Sequence, residues 1–144
     1  MKYDDASWHY EGDFPQGLPF EASATHTGMF LAWALLRGLG SPLHTEELEG
    51  DLQTLRRREI TPGAYFLKVC DGKFSDTDLN PIGNRFAQDY FDFSTGEYLT
   101  DYEETLAEDL DDIYQVADTW ENFDLLKPVL DEQFRDWIAD QEED

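Results

Sequence analysis

Apolar residues fill almost every position from Ala22 to Leu39 (ASATHTGMFLAWALLRGL), and Gly38 and Gly40 supply stop signals. A helix apolar on all sides belongs in an interior, so this segment is the expected central core helix, with Trp33 and Leu35 in the core. The other elements are amphipathic. Thr45 reads as the N-cap of a helix to about Glu59 with Leu48, Leu52 and Leu55 on one face, weakened by Gly50. Thr61-Pro62 opens a short helix through Tyr65, Phe66 and Val69, because proline suits the first helical position. Residues 75–81 read as a polar link, Pro81 opens a helix through Phe86 and Tyr90, and Ser94-Thr95-Gly96 reads as a turn.

The four-residue spacing of Tyr98, Tyr102, Leu106 and Leu110 predicts a helix from about Glu97 to Leu110. A last helix is expected after Pro128, with Leu130, Phe134, Trp137 and Ile138 inward, and Glu142-Glu143-Asp144 as a frayed tail. Residues 1–21 mix acids, aromatics, glycine and proline, and read as an irregular arm tacked down by Trp8, Tyr10 and Phe14. No hairpin, βαβ or repeat signal occurs. The expected fold is mainly α, one domain over residues 1–144, with five or six helices and a strongly acidic helical region over 97–144.

Composition supports a folded domain. Forty per cent hydrophobic content with 15% aromatic residues separates this chain from acidic disordered ones. The single cysteine, Cys70, excludes an internal disulfide framework. The opening MKYDDASWHY has no apolar signal segment, and no apolar run is long enough to span a bilayer, so a soluble, cytoplasmic protein is expected.

Charge changes the picture most. Residues 1–75 carry 7 basic and 11 acidic residues, whereas residues 76–144 carry 3 and 22, within a net charge of −23. Such repulsion works against compaction, and the net charge argues against a direct role on nucleic acid or an anionic membrane. It suits a strongly basic partner. Within the expected helix over 97–112, Asp101, Glu104, Glu108 and Asp112 project away from the apolar stripe, and Asp109 and Asp111 crowd its C-terminal end. Like charges at that spacing cost roughly 0.2–0.5 kcal/mol per pair, and the macrodipole disfavours anions at a C-terminus. A solvated face is the ordinary explanation. The acids that follow (Asp118, Glu121, Asp124, Asp131, Glu132 and Asp136) favour a binding surface, with Tyr114 and Trp120 as candidate anchors.

The remaining candidates are weaker. Asp76-x-Asp78-x-Asn80 begins like a calcium loop, but Pro81 stands where glycine is needed and Ala87 where glutamate is needed, so a capped polar turn is expected. His9, His26 and His44 accompany no metal-ligand motif and read as satisfied structural histidines. Cys70 has only Lys68 and Lys73 nearby, a poor setting for a nucleophile. Arg56-Arg57-Arg58 is expected to pair with the chain's own acids. No catalytic motif, cofactor or metal is predicted.

The strings YDDASWHYEGDFP (3–15), ATHTGMFLAWALLRGL (24–39), REITPG (58–63), CDGKF (70–74), GNRFAQDYF (83–91) and DTWENFD (118–124) together resemble a family of small bacterial proteins. Its members look like immunity proteins encoded beside polymorphic or type VI secreted toxins. The resemblance implies a non-enzymatic inhibitor of a cognate protein toxin. A nuclease is the expected class, because its basic phosphate-binding groove would accept a carboxylate-lined face. The alternatives are an acidic adaptor, a salt-adapted domain and a carboxylate or metal enzyme.

Overall fold

A computed structural model describes residues 1–12, 14–94 and 96–142. Glu143 and Asp144 of the expected tail, and Thr95 of the expected turn, lie outside the described residues. The fold is mainly α. The uniformly apolar segment is its centre, as its composition requires: helix α2 runs Thr25–Leu36, and every residue from Thr25 to Leu35 is buried. A tight turn of 3-10 helix, Phe20–Ala24, leads into it.

Seven α-helices occur among the described residues. Besides α2 they are α1 (Ala6–Tyr10), α3 (Glu49–Arg56), α4 (Pro62–Val69), α5 (Pro81–Phe86), α6 (Tyr98–Leu106) and α7 (Trp120–Glu142). Thr61 caps α4 and Asn80 caps α5, each followed by proline at the first helical position, as read from sequence. Helix α4 lies against α2 where Gly28 meets Gly63. On the opposite side Trp33 contacts Phe86 of α5 and Phe134 of α7. Phe30 stacks into a cluster with Phe74, Phe91 and Tyr98, and the Tyr98 hydroxyl donates to the His26 carbonyl.

Four expectations require correction. The N-terminal arm is ordered: β1 (Lys2–Asp5) pairs antiparallel with β2 (Lys73–Ser75), in the register Asp4↔Phe74 and Asp5↔Lys73, and continues into α1. Thr45 is not an N-cap. It lies inside a wide π-type turn, Leu43–Glu47, and α3 starts after it. Helix α6 ends at Leu106, short of Glu108, Asp109 and Asp111, which its C-terminal dipole would repel, and Leu110 is 38% exposed. Helix α7 begins at Trp120 and carries Pro128 inside it. A proline within a helix costs ~3 kcal/mol. The buried face formed by Phe123, Leu126, Leu130 and Phe134 continues through it and offsets that cost.

Asp5 fixes the strand-to-helix junction. Its carboxylate caps α1 by accepting from the Ser7 amide at 2.9 Å and hydroxyl at 2.7 Å, and it pairs with Lys2 at 2.7 Å. Burial opposes ionisation, but these donors outweigh it and hold the carboxyl at about 2. A carboxyl depressed from 3.8 to about 2 stabilises the fold above the upper value and loses that contribution as pH falls towards the lower one. Asp5→Ala is therefore expected to cost ~1–2 kcal/mol at neutral pH. It should also flatten the fall in urea midpoint between pH 4 and pH 2, a window set by the same two values.

Candidate functional site

The acids divide into two groups once their partners are known. Several are spent inside the molecule. Asp101 on α6 accepts from the Tyr90 hydroxyl at 2.6 Å and from Gln133 at 2.9 Å, joining α6 to α7. Asp112 caps the turn Ile113–Gln115 by accepting from the Tyr114 amide. Asp118 accepts from Thr61 Oγ1 at 2.6 Å and from the Gly63 amide at 2.8 Å, and so holds the start of α4. Asp131 accepts from the Trp33 indole, and Asp124 forms a two-pronged ion pair with Arg58. That pair meets the expectation for one of the three consecutive arginines; Arg56 and Arg57 are exposed.

Glu104 on α6 and Glu108, Asp109 and Asp111 in the loop beyond it are exposed. With Glu103, also exposed, they lie within seven positions of the exposed Leu110, and no basic residue falls between positions 98 and 126. None of these five carboxylates makes an ion pair or side-chain hydrogen bond among the described residues. The two aromatic candidates are turned inward. The Trp120 indole donates to the Ile60 carbonyl at 3.2 Å and lies under the Arg58 guanidinium, 4.6 Å from ring centroid to charge. The Tyr114 hydroxyl meets His9 Nδ1 at 2.9 Å. An apolar groove of about 510 Å³ runs between Pro19, Ala22, Ala64, Leu67 and Val116, with Asp118 at its edge.

A second constellation was invisible to motif reading. Strand β1 carries Asp4, α1 carries His9 and the first turn of α2 carries His26, and the packing of these three elements brings the side chains together. Asp4 is buried and accepts from His9 Nε2, at 2.7 and 2.9 Å to its two oxygens, and from the Thr27 hydroxyl. A carboxylate only accepts, so the neutral His9 ring carries its proton on Nε2 and takes the Tyr114 O–H at Nδ1. Burial, with a smaller contribution from Asp4 and Asp112, raises Tyr114 above the ordinary phenol range and keeps it protonated.

His26 corrects the expectation of a satisfied structural histidine. It is 0% exposed, and neither ring nitrogen has a hydrogen-bond partner. Its Nε2 stands 3.8 Å from Asp4 Oδ2, beyond hydrogen-bond reach. Burial, reinforced by His9 and opposed by Asp4, pushes it down to about 3, so the imidazole is neutral with a free lone pair. The Tyr102 hydroxyl, whose ring centroid is 6.2 Å from that of His26, is likewise buried without a partner.

His44 shows what satisfaction looks like. Its Nδ1 meets the Tyr65 hydroxyl and its Nε2 meets Asp78 Oδ1, both at 2.8 Å. Asp78 also accepts from the Ser75 amide, which makes the Asp76–Asp78 segment the capped turn expected in place of a calcium loop. Cys70 lies beside this network, and burial raises its thiol far above the range of a reactive cysteine.

Among the described residues no helix is long and apolar enough to cross a membrane. No curated protein and no solved structure matches the chain. A family model does match, from residue 2 to residue 116, a span that contains Asp4, His9, His26 and the acidic loop. The chain belongs to the family described as Domain of unknown function (DUF7832).

Proposed function

We propose that the chain is an inhibitory binding protein that holds a strongly basic partner against the surface around Leu110, as an immunity protein holds its cognate secreted toxin. The observation that carries the reading is the run of exposed carboxylates without internal partners, Glu103, Glu104, Glu108, Asp109 and Asp111, in the segment that also exposes Leu110. Carboxylates that serve the fold are drawn into caps and ion pairs, as Asp101, Asp112, Asp118 and Asp124 are. These five are not, and they repel one another. A basic groove evolved to hold phosphates would accept them, with Leu110 supplying apolar contact. Inhibition then needs no chemistry from this chain, only occupancy of the groove.

Substituting Glu104 and Glu108 by Gln, and Asp109 and Asp111 by Asn, tests the surface and leaves the capping Asp112 and the bridging Asp101 intact. Tagged protein is used to capture a purified nuclease toxin, and association is measured at low and moderate salt. The wild type is expected to associate fast at low salt, because charge attraction is screened beyond ~8–10 Å near physiological ionic strength. The fourfold variant should associate about tenfold or more slowly at low salt, with a flatter salt dependence. Its thermal midpoint should hold or rise, since the acids beyond α6 no longer oppose the helix dipole. Unchanged association and salt dependence would remove this loop from the interface.

A further inference from the structure

We propose that Asp4, His9 and His26 form a binding site for one divalent transition-metal ion of the zinc type. The residues offer two imidazole nitrogens and a carboxylate oxygen from three different elements, and the three ligand atoms lie within 4.8 Å of one another. Two imidazoles and a carboxylate are a common three-ligand set for zinc, with a further position left for water. The same donors disfavour calcium and magnesium, which prefer all-oxygen shells.

The decisive observation is His26. A polar group buried without a partner costs ~1–3 kcal/mol, and native interiors rarely leave one without a reason. Here both nitrogens of one fully buried ring are unpartnered, and one of them faces a carboxylate at 3.8 Å. An ion between Nε2 and that carboxylate would give Nε2 its partner. Tetrahedral zinc with bonds of ~2.0–2.1 Å sets its ligand atoms roughly 3.4 Å apart. With Asp4 Oδ2 as the carboxylate ligand, the His9 contact at 2.9 Å would open by several tenths of an ångström, and the His26 gap at 3.8 Å would close by a similar amount.

The surrounding contacts are those a metal site uses to orient its ligands. Thr27 donates to Asp4, and the Tyr114 hydroxyl meets the far nitrogen of His9. When the ion takes His9 Nε2, the proton there moves to Nδ1, and the hydrogen bond to Tyr114 reverses direction without being lost. The His44–Asp78–Cys70 group provides the contrast. It has no counterpart to His26: both nitrogens of its one imidazole are hydrogen-bonded, and burial holds its thiol protonated, the form that ligates metals poorly. The His26 site stands independently of the acidic surface, and it requires only that the ion binds, not that the chain depends on it to fold.

The test uses the full chain dialysed against chelator, in buffer with excess Mg²⁺ to occupy surface carboxylates. Zn²⁺ is titrated by calorimetry, and Co²⁺ is used as a spectroscopic substitute whose visible bands report tetrahedral nitrogen and oxygen ligation. One ion per chain and a rise in thermal midpoint are expected. His26→Leu should weaken Zn²⁺ binding by about 100-fold or more while raising the midpoint of the metal-free protein, because the unpaired ring is gone. His9→Gln, at the more exposed ligand, should weaken binding comparably and serves if His26→Leu does not fold. No Zn²⁺ binding by the wild type, or unchanged binding by either folded variant, would overturn the site.

Discussion

Trp33→Ala is expected to cost ~3–5 kcal/mol, a large share of the ~5–15 kcal/mol that holds a domain of this size together. Trp33 is 1% exposed in the C-terminal half of the most buried helix. Its ring contacts Phe30, Phe86 and Phe134, so truncation opens a cavity at the seam where α2, α5 and α7 meet. The indole N–H also donates to Asp131 Oδ1 at 2.9 Å, and Asp131 pairs with Lys127 at 2.8 Å. Removing the donor therefore leaves a carboxylate beside the cavity with one partner fewer. Trp33→Phe separates the two contributions: it keeps most of the apolar volume and loses the hydrogen bond, for an expected ~1–2 kcal/mol. Urea unfolding checks both, since a fall in midpoint at constant slope reports stability alone. An Ala variant within about 1 kcal/mol of wild type would mean that the core lies elsewhere.

The position of Trp33 could be read from the sequence because α2 is apolar on every face, and no other placement accommodates such a helix. Helices α4 and α5 could also be read, since Thr61-Pro62 and Asn80-Pro81 place a capping side chain directly before a residue that favours the first helical turn. What escaped notice depends on distant partners. Strands of four and three residues carry no usable alternation, and β1 exists only because β2 lies beside it some seventy positions later in the chain. The start of α7 was hidden by Pro128, whose local preference is overridden by a buried stripe on both sides of it. The early end of α6 reflects a cost visible in sequence, the acids beyond Leu106, which prevails over the regular spacing of Leu106 and Leu110.

The candidate sites divide in the same way. The excess of acids was plain, whereas their division into internal partners and free carboxylates depends on contacts such as Asp118 with Gly63 and Asp101 with Tyr90. The Asp4–His9–His26 group matched no spacing rule because three elements contribute one ligand each. Its only trace was a histidine in the first turn of an otherwise apolar helix. Its sequence context is that of a satisfied core residue, and the absence of any partner for its ring is visible only in three dimensions.

Gly28→Ala and Gly50→Ala make the same chemical change in two helices and are expected to move stability in opposite directions. At Gly28 a methyl group would stand 2.8 Å from Gly63 Cα and 2.8 Å from the Pro62 carbonyl oxygen. Both are backbone atoms at the first turn of α4, which Thr61 and Asp118 hold in place, so relief requires α2 and α4 to separate. Alanine is the better helix former by ~1 kcal/mol, but overpacking against a fixed backbone costs ~1–3 kcal/mol or more and wins. A net loss of ~1–2 kcal/mol is expected, and separating α2 from α4 would also disturb His26 and Thr27, the two residues just before Gly28. At Gly50, on the exposed side of α3, nothing lies within 4 Å of the added carbon. There the propensity gain acts alone and should stabilise by ~0.5–1 kcal/mol. Urea midpoints for the two variants decide the matter. If Gly28→Ala were neutral or stabilising, the close crossing of α2 and α4 would not be a feature of the folded protein.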